Sequence, residues 1–141
     1  MKGSLFMENS IVIPITSEED IVIARKMGRE FSEMLGFSTI SKTRVITAVS
    51  ELTRNIYRYA ENGWIKLEVI QSSQKKGLKI TAVDKGPGIR NISEALTAGY
   101  SSSGSLGAGL PGTKKMMDEF KIDSSPELGT QVIAVKWMKT I

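Results

Sequence analysis

The chain has no cysteine and no histidine among its 141 residues. Without cysteine there are no disulfides, no thiolate ligands for zinc or iron–sulfur clusters and no thiol nucleophile. Without histidine there is no imidazole base, no histidine metal ligand, no Ser-His-Asp triad and no acceptor for a phosphohistidine. Chemistry must therefore rest on carboxylates, amides, hydroxyls, Lys and Arg, or on a bound cofactor. Long apolar runs are also missing. Nothing approaches the roughly 18–20 residues that a membrane span needs, and the opening MKGSLF lacks a signal-peptide core. No membrane partner and a cytoplasmic location are expected. Aromatics make up only 6%, and no basic run is interleaved with them, which argues against nucleic acid as a partner.

What is present is enough for one folded domain over 1–141. Hydrophobic residues reach 40% and charged residues 24%, a globular balance. The net charge of +4 is uneven. Residues 1–40 carry 4 basic and 6 acidic side chains, residues 41–80 carry 8 and 3, and residues 81–141 carry 7 and 6. The basic middle fits solvated surface, an acidic protein or bound phosphates.

Residues 1–9 read as a flexible N-terminus. Ile11, Ile13 and Ile15 alternate, predicting a strand that Pro14 confines to a sheet edge. Thr16 and Ser17 lead into Glu18-Glu19-Asp20 as a capping box. Ile21, Ala24, Gly28, Phe31 and Leu35 then repeat at helical spacing, and Gly36 ends the helix. A second helix is predicted with Ser41 as its cap and Val45, Ala48, Val49, Leu52, Ile56 and Tyr59 as its apolar stripe. Ile65, Leu67 and Val69 alternate in a strand, 72–77 forms a polar turn, and Leu78, Ile80 and Ala82 return antiparallel. Seven of the thirteen glycines fall within 84–112. A third helix is predicted over about 110–119 from Met116, Met117 and Phe120. Lys121 to Ser124 forms a short strand, and Ile133, Val135 and Trp137 alternate in the last one. The order β-α-α-β-β-loop-α-β-β predicts an α+β two-layer sandwich: a mixed, mostly antiparallel sheet with about three helices on one face.

Four clusters carry chemistry. Glu51 and Asn55 lie four apart at the margin of the second helix's apolar stripe, so both point the same way. An amide oxygen can ligate Mg²⁺ beside phosphates, and a carboxylate one turn earlier can polarise a water or hydroxyl. Read alone, the pair is equally a surface pair beside Arg54 and Arg58. Asp84 ends a strand and is followed by Gly86 and Gly88. A carboxylate there can accept a hydrogen bond from an exocyclic amine such as that of adenine, with glycines leaving room for the ring; an ordinary turn looks the same. Gly104, Gly107 and Gly109 precede the third helix, where backbone N–H groups and the helix dipole favour anions. Lys114 and Lys115 sit one turn in, either reaching a phosphate or solvated. Gly129-Thr130 enters the last strand, with the Thr130 hydroxyl near Asp84 or simply a β-branched strand residue.

In order, ELTRN, DKGPGI, GSLGAGL and Gly129-Thr130 resemble the N, G1, G2 and G3 boxes of the GHKL ATP-binding (Bergerat) fold, over about residues 10–138. ELTRNIYRYA, VDKGPGI and GAGLPGTKKMMDEF are most similar to the stand-alone serine kinases of bacterial stress signalling, of the RsbT type. That resemblance implies ATP and Mg²⁺, with Asn55 as the metal ligand and Glu51 as general base or orienting carboxylate. It implies that Asp84, Gly86 and Gly88 hold adenine, that 90–106 is an ATP lid, and that Gly104, Gly107, Gly109 and the helix start hold the phosphates. Thr130 would help at the adenine end. It also implies phosphorylation of a serine or threonine on STAS-domain scaffold or antagonist proteins, and activation of a PP2C-type phosphatase. An anti-sigma factor kinase that binds a sigma factor has the same pocket, and a non-catalytic nucleotide sensor would keep it without needing Glu51. Autophosphorylation on histidine is excluded, so the acceptor lies on another chain.

Overall fold

The structure, a computed structural model, describes residues 9–59, 62–85, 110–125, 127 and 129–138. Strand β1 (Ser10–Pro14) leads to helices α1 (Glu18–Leu35) and α2 (Thr39–Tyr59). Strands β2 (Gly63–Ser72) and β3 (Lys75–Asp84) follow, then helix α3 (Leu110–Met116) and strands β4 (Glu119–Ser125) and β5 (Gly129–Trp137). The order matches the sequence reading element for element. The five strands form one sheet, β1-β2-β3-β5-β4, and all four pairings are antiparallel. The expected mixed sheet thus has no parallel pair among the described residues.

Period-two alternation decides which face of the sheet is covered. Ile65, Leu67, Leu78, Ile80 and Ala134 are fully buried, each on the same face, against Ala24, Phe31, Val45, Val49 and Leu52 of α1 and α2. The other face shows Val12 and Trp64, which stay exposed. β1 is an edge strand, so Pro14 costs the ladder nothing. Asn9, at the limit of the expected flexible N-terminus, is tied down by Val69, whose N–H donates to its carbonyl at 2.8 Å. The rest of that expectation, 1–8, lies outside the described residues.

The helix signals hold at both ends of α1 and fail at the start of α2 and the end of α3. Asp20 Oδ2 accepts from the Thr16 and Ser17 N–H groups at 2.8 and 3.0 Å, the acidic arm of a capping box. Gly36 closes α1 with φ +77°. Ser41 is not the cap of α2. The helix starts at Thr39, and Ser38 Oγ accepts from the Ser41 N–H at 3.1 Å, which satisfies the donor at the third helical position. At the last helix, α3 stops at Met116 rather than 119, and Phe120 belongs to β4. Its partly buried ring packs on the core from a strand.

Two strand readings also change. The polar turn 72–77 shrinks to Ser73-Gln74, because β2 and β3 stay paired out to Ser72↔Lys75. Of these two residues only Ser73 has positive φ (54°), the sign pattern of a type II′ hairpin. In β5, Ile133, Val135 and Trp137 do alternate on one face, with Val135 buried there, but the set that faces the helices is Val132, Ala134 and Lys136. Lys136 is only 2% exposed. Its Nζ donates to the Met116 carbonyl at 2.9 Å and lies 3.6 Å from Asp118 Oδ1. A buried ammonium needs such partners, and here they tie the end of α3 to the sheet.

Candidate functional site

Asp84 is the last residue of β3, the central strand. It is in register with Gly63 on one side and Thr130 on the other. The expected neighbourhood of Asp84 and Thr130 is therefore a direct cross-strand pair. Thr130 is further fixed by β4, since its hydroxyl and that of Ser124 share a hydrogen bond of 2.8 Å.

Two glycines press on Asp84: Gly129, from the expected Gly129-Thr130 element, and Gly63, which stood outside the four expected clusters. Gly129 has φ +84°, and a Cβ there would collide with the Asp84 carbonyl and lie 2.9 Å from Lys85 Cα. Gly129 is thus required both by its backbone conformation and by the closeness of the β3 end. Gly63 opens β2. A Cβ on it would lie 3.2 Å from Asp84 Cβ and 2.8 Å from the Val83 carbonyl, and would overlap Ile56 of α2. Gly63 therefore sits between α2 and the end of β3. The signal for both was in the sequence, as a glycine opening each strand, but the close approach that demands it is tertiary.

That approach brings the last turns of α2 to the Asp84 end of the sheet. Ile56 is buried against Gly63, and its neighbour Asn55 is half-buried at the edge of the helix's apolar side. One turn back, Glu51 is 9% exposed. Its Oε2 accepts from Arg54 Nη1 at 2.6 Å. A carboxylate so far removed from water needs that partner. The margin of α2 thus presents an amide and a carboxylate, both hard oxygen donors. This donor chemistry fits Mg²⁺ rather than a thiophilic or imidazole-preferring metal. Helix α3 packs against α2. It buries Leu110, Pro111 and Thr113 and leaves Lys114 and Lys115 exposed. Gly86, Gly88, Gly104, Gly107, Gly109 and the 90–106 lid lie outside the described residues.

Comparison with known proteins fits this geometry. Residues 16–136 match the histidine kinase-like ATPase domain. The chain is 48% identical to the serine/threonine-protein kinase RsbT of Bacillus subtilis, over 94% of this chain and all of that one. It is 34% identical to an anti-sigma F factor of Clostridium novyi, over 70% of this chain and 73% of the relative. Among solved structures, a mycobacterial sensor histidine kinase, MprB, shares the fold at a TM-score of 0.56 and 16% identity, covering 93% of this chain and all of that one. No helix among the described residues is long and apolar enough to cross a membrane. The match across most of the chain, the ordered strand end and helix margin, and the near-half identity to a full-length relative lead to one conclusion: the chain belongs to the histidine kinase-like ATPase family and, within it, to the serine/threonine kinases of the RsbT and anti-sigma factor type.

Proposed function

We propose that this protein is the switch kinase of a bacterial stress-response pathway. It transfers the γ-phosphoryl group of ATP to a serine or threonine of a STAS-domain scaffold or antagonist protein, and in its released state it activates a PP2C-type phosphatase. The observation that carries the reading is the 48% identity over the full length of the kinase RsbT. The lower identity to an anti-sigma F factor, 34% over a shorter span, favours this role over sigma-factor binding. In this reading the kinase acts in the cytoplasm, where ATP is available, as one domain over 1–141.

In this reading Asp84 accepts a hydrogen bond from the adenine amine, with Thr130 opposite it and Gly86 and Gly88 beside the ring. Gly104, Gly107 and Gly109 offer backbone N–H groups to the phosphates, Lys114 reaches the same end from α3, and 90–106 closes as a lid. Asn55 holds Mg²⁺ through its amide oxygen. A cation held there would neutralise charge on the phosphate oxygens, which with positioning is most of phosphoryl-transfer catalysis. Glu51 accepts the proton of the incoming hydroxyl as its oxygen bonds to the γ-phosphorus. The bond from that phosphorus to the bridging oxygen breaks, and ADP leaves. A nucleotide sensor without catalysis would have no use for a carboxylate held at that place.

The test is transfer of radiolabelled phosphate from ATP to a purified STAS-domain protein, run beside a nucleotide titration. Glu51→Gln is expected to keep ATP affinity and lose transfer by about 10²-fold or more, as for loss of a general base. Asn55→Ala is expected to lose affinity and transfer together. Transfer by Glu51→Gln at the parent rate would remove Glu51 from the chemistry. Loss of ATP affinity in Glu51→Gln as severe as in Asn55→Ala would move the carboxylate into the metal's coordination.

A further inference from the structure

We propose that Arg54 is a positioning residue for phosphoryl transfer, acting through Glu51. This rests on the reading of Glu51 as the group that takes the hydroxyl proton. Among the described residues, Arg54 is the one group that bonds the Glu51 carboxylate, at 2.6 Å to Oε2. The two partners differ in surroundings. The Glu51 side chain is 11% exposed and that of Arg54 36%. An ordinary solvated helix pair has both ends in water and contributes little. Here the carboxylate has lost most of its water, so the guanidinium replaces it as the fixed donor.

Two consequences follow from elementary chemistry. A carboxylate on a two-carbon stem rotates freely about its last bond, whereas a charge-assisted contact to a guanidinium narrows that rotation. With Oε2 occupied, Oε1 is the oxygen left to accept the proton of an incoming hydroxyl. The i,i+3 spacing on one helix fixes the guanidinium to the same rigid element as its partner. Arg54 therefore serves the transfer step without touching the reacting atoms, and its removal should be felt in kcat rather than in ATP binding.

The experiment compares Arg54→Ala, Arg54→Lys, Glu51→Gln and the double variant Glu51→Gln/Arg54→Ala in the full chain. It measures kcat and KM for ATP with the same STAS-domain substrate, ATP affinity by calorimetry, and Tm. Arg54→Ala is expected to lower kcat about tenfold with KM for ATP within about twofold, and Arg54→Lys to recover part of the loss. In the Glu51→Gln background, removing Arg54 is expected to change transfer no further, because the two act as one unit. An unchanged kcat in Arg54→Ala, with Glu51→Gln slow, overturns the inference and leaves the reading of Glu51 intact. So does a further drop in the double variant, which would make Arg54 an independent contact to the phosphates. A normal rate in Glu51→Gln overturns the reading of Glu51 itself and the inference with it. Should Arg54→Ala fold poorly, as its Tm would reveal, Arg54→Gln and Arg54→Lys give the same discrimination.

Discussion

The two carboxylates of the candidate site, Asp84 and Glu51, are held in opposite ways. Asp84 ends the central strand, and the ladder on both sides fixes it: Gly63 in register on one strand, Thr130 on the other. Glu51 stands on a helix margin and is fixed by one side chain, Arg54. Backbone groups must find partners whatever the side chains are, so the strand end is a property of the fold. The helix margin is a property of two residues. A substitution can therefore retune the helix margin and leave the sheet untouched, whereas the strand end yields only to changes that the backbone feels.

Gly129→Ala should break this contrast most severely. A methyl group there meets the Asp84 carbonyl at a positive φ. Strain and overlap together should cost about 3 kcal/mol, or a fall in Tm of roughly 10 °C for a domain of this size. ATP affinity should fall with it, since Asp84 is displaced. Thermal melts and calorimetry on the same samples check both. A stable Gly129→Ala with parent affinity would mean that the strand end is not fixed by the ladder.

Asp84→Asn sharpens the contrast from the ligand side. ATP affinity should fall about tenfold, the magnitude of one charge-assisted hydrogen bond. Equal affinity of the parent chain for ATP and GTP would remove the adenine role. Thr130→Val comes next. It deletes the hydroxyl shared with Ser124 at 2.8 Å and should cost about 1 kcal/mol of stability, read by denaturant titration, with a smaller loss of ATP affinity than Asp84→Asn.

The smallest effect is expected at the start of α1. Hydrogen bonds from the Thr16 N–H first, then from its hydroxyl and from Ser17, hold the Asp20 carboxyl below its ordinary value. A carboxyl lowered in the folded state stabilises the fold above its unfolded value, near pH 4, and that contribution is lost as the pH falls through the folded-state value. Asp20→Asn should therefore lower Tm slightly at neutral pH, with the difference closing in acid and transfer unchanged. A gap in Tm that persists in acid would mean that the charge at Asp20 is not its source.

Much of the fold was legible because its signals are local. Alternating Ile65, Leu67, Leu78 and Ile80, the apolar stripe of α2 and the glycine at 36 each act within a few residues, so element order and the two ends of α1 could be read from spacing. The misread elements share another cause. Lys136 occupies a core-facing strand position because Met116 and Asp118, distant in sequence, satisfy its charge, whereas alternation alone put Ile133, Val135 and Trp137 forward. Phe120 fits helical spacing with Met116 and Met117, yet pairing with β5 claims it for a strand. Ser38 rather than Ser41 caps α2, because either serine suits the pattern and only the backbone geometry chooses.

The same division runs through the site. Composition alone narrows the chemistries that are open: with no imidazole or thiol, proton transfer is left to carboxylates, hydroxyls, lysines or a cofactor, and Glu51 and Asn55 share a helix side because helical periodicity places residues four apart together. Tertiary structure decided what those groups touch. It set Gly63 between Ile56 and Asp84, Gly129 against the β3 end, and Thr130 opposite Asp84. It also left Glu51 little exposed, with Arg54 as its partner. The physical reason is range. Periodicity and capping are enforced by covalent neighbours, whereas close approach and burial depend on how elements far apart in the chain pack.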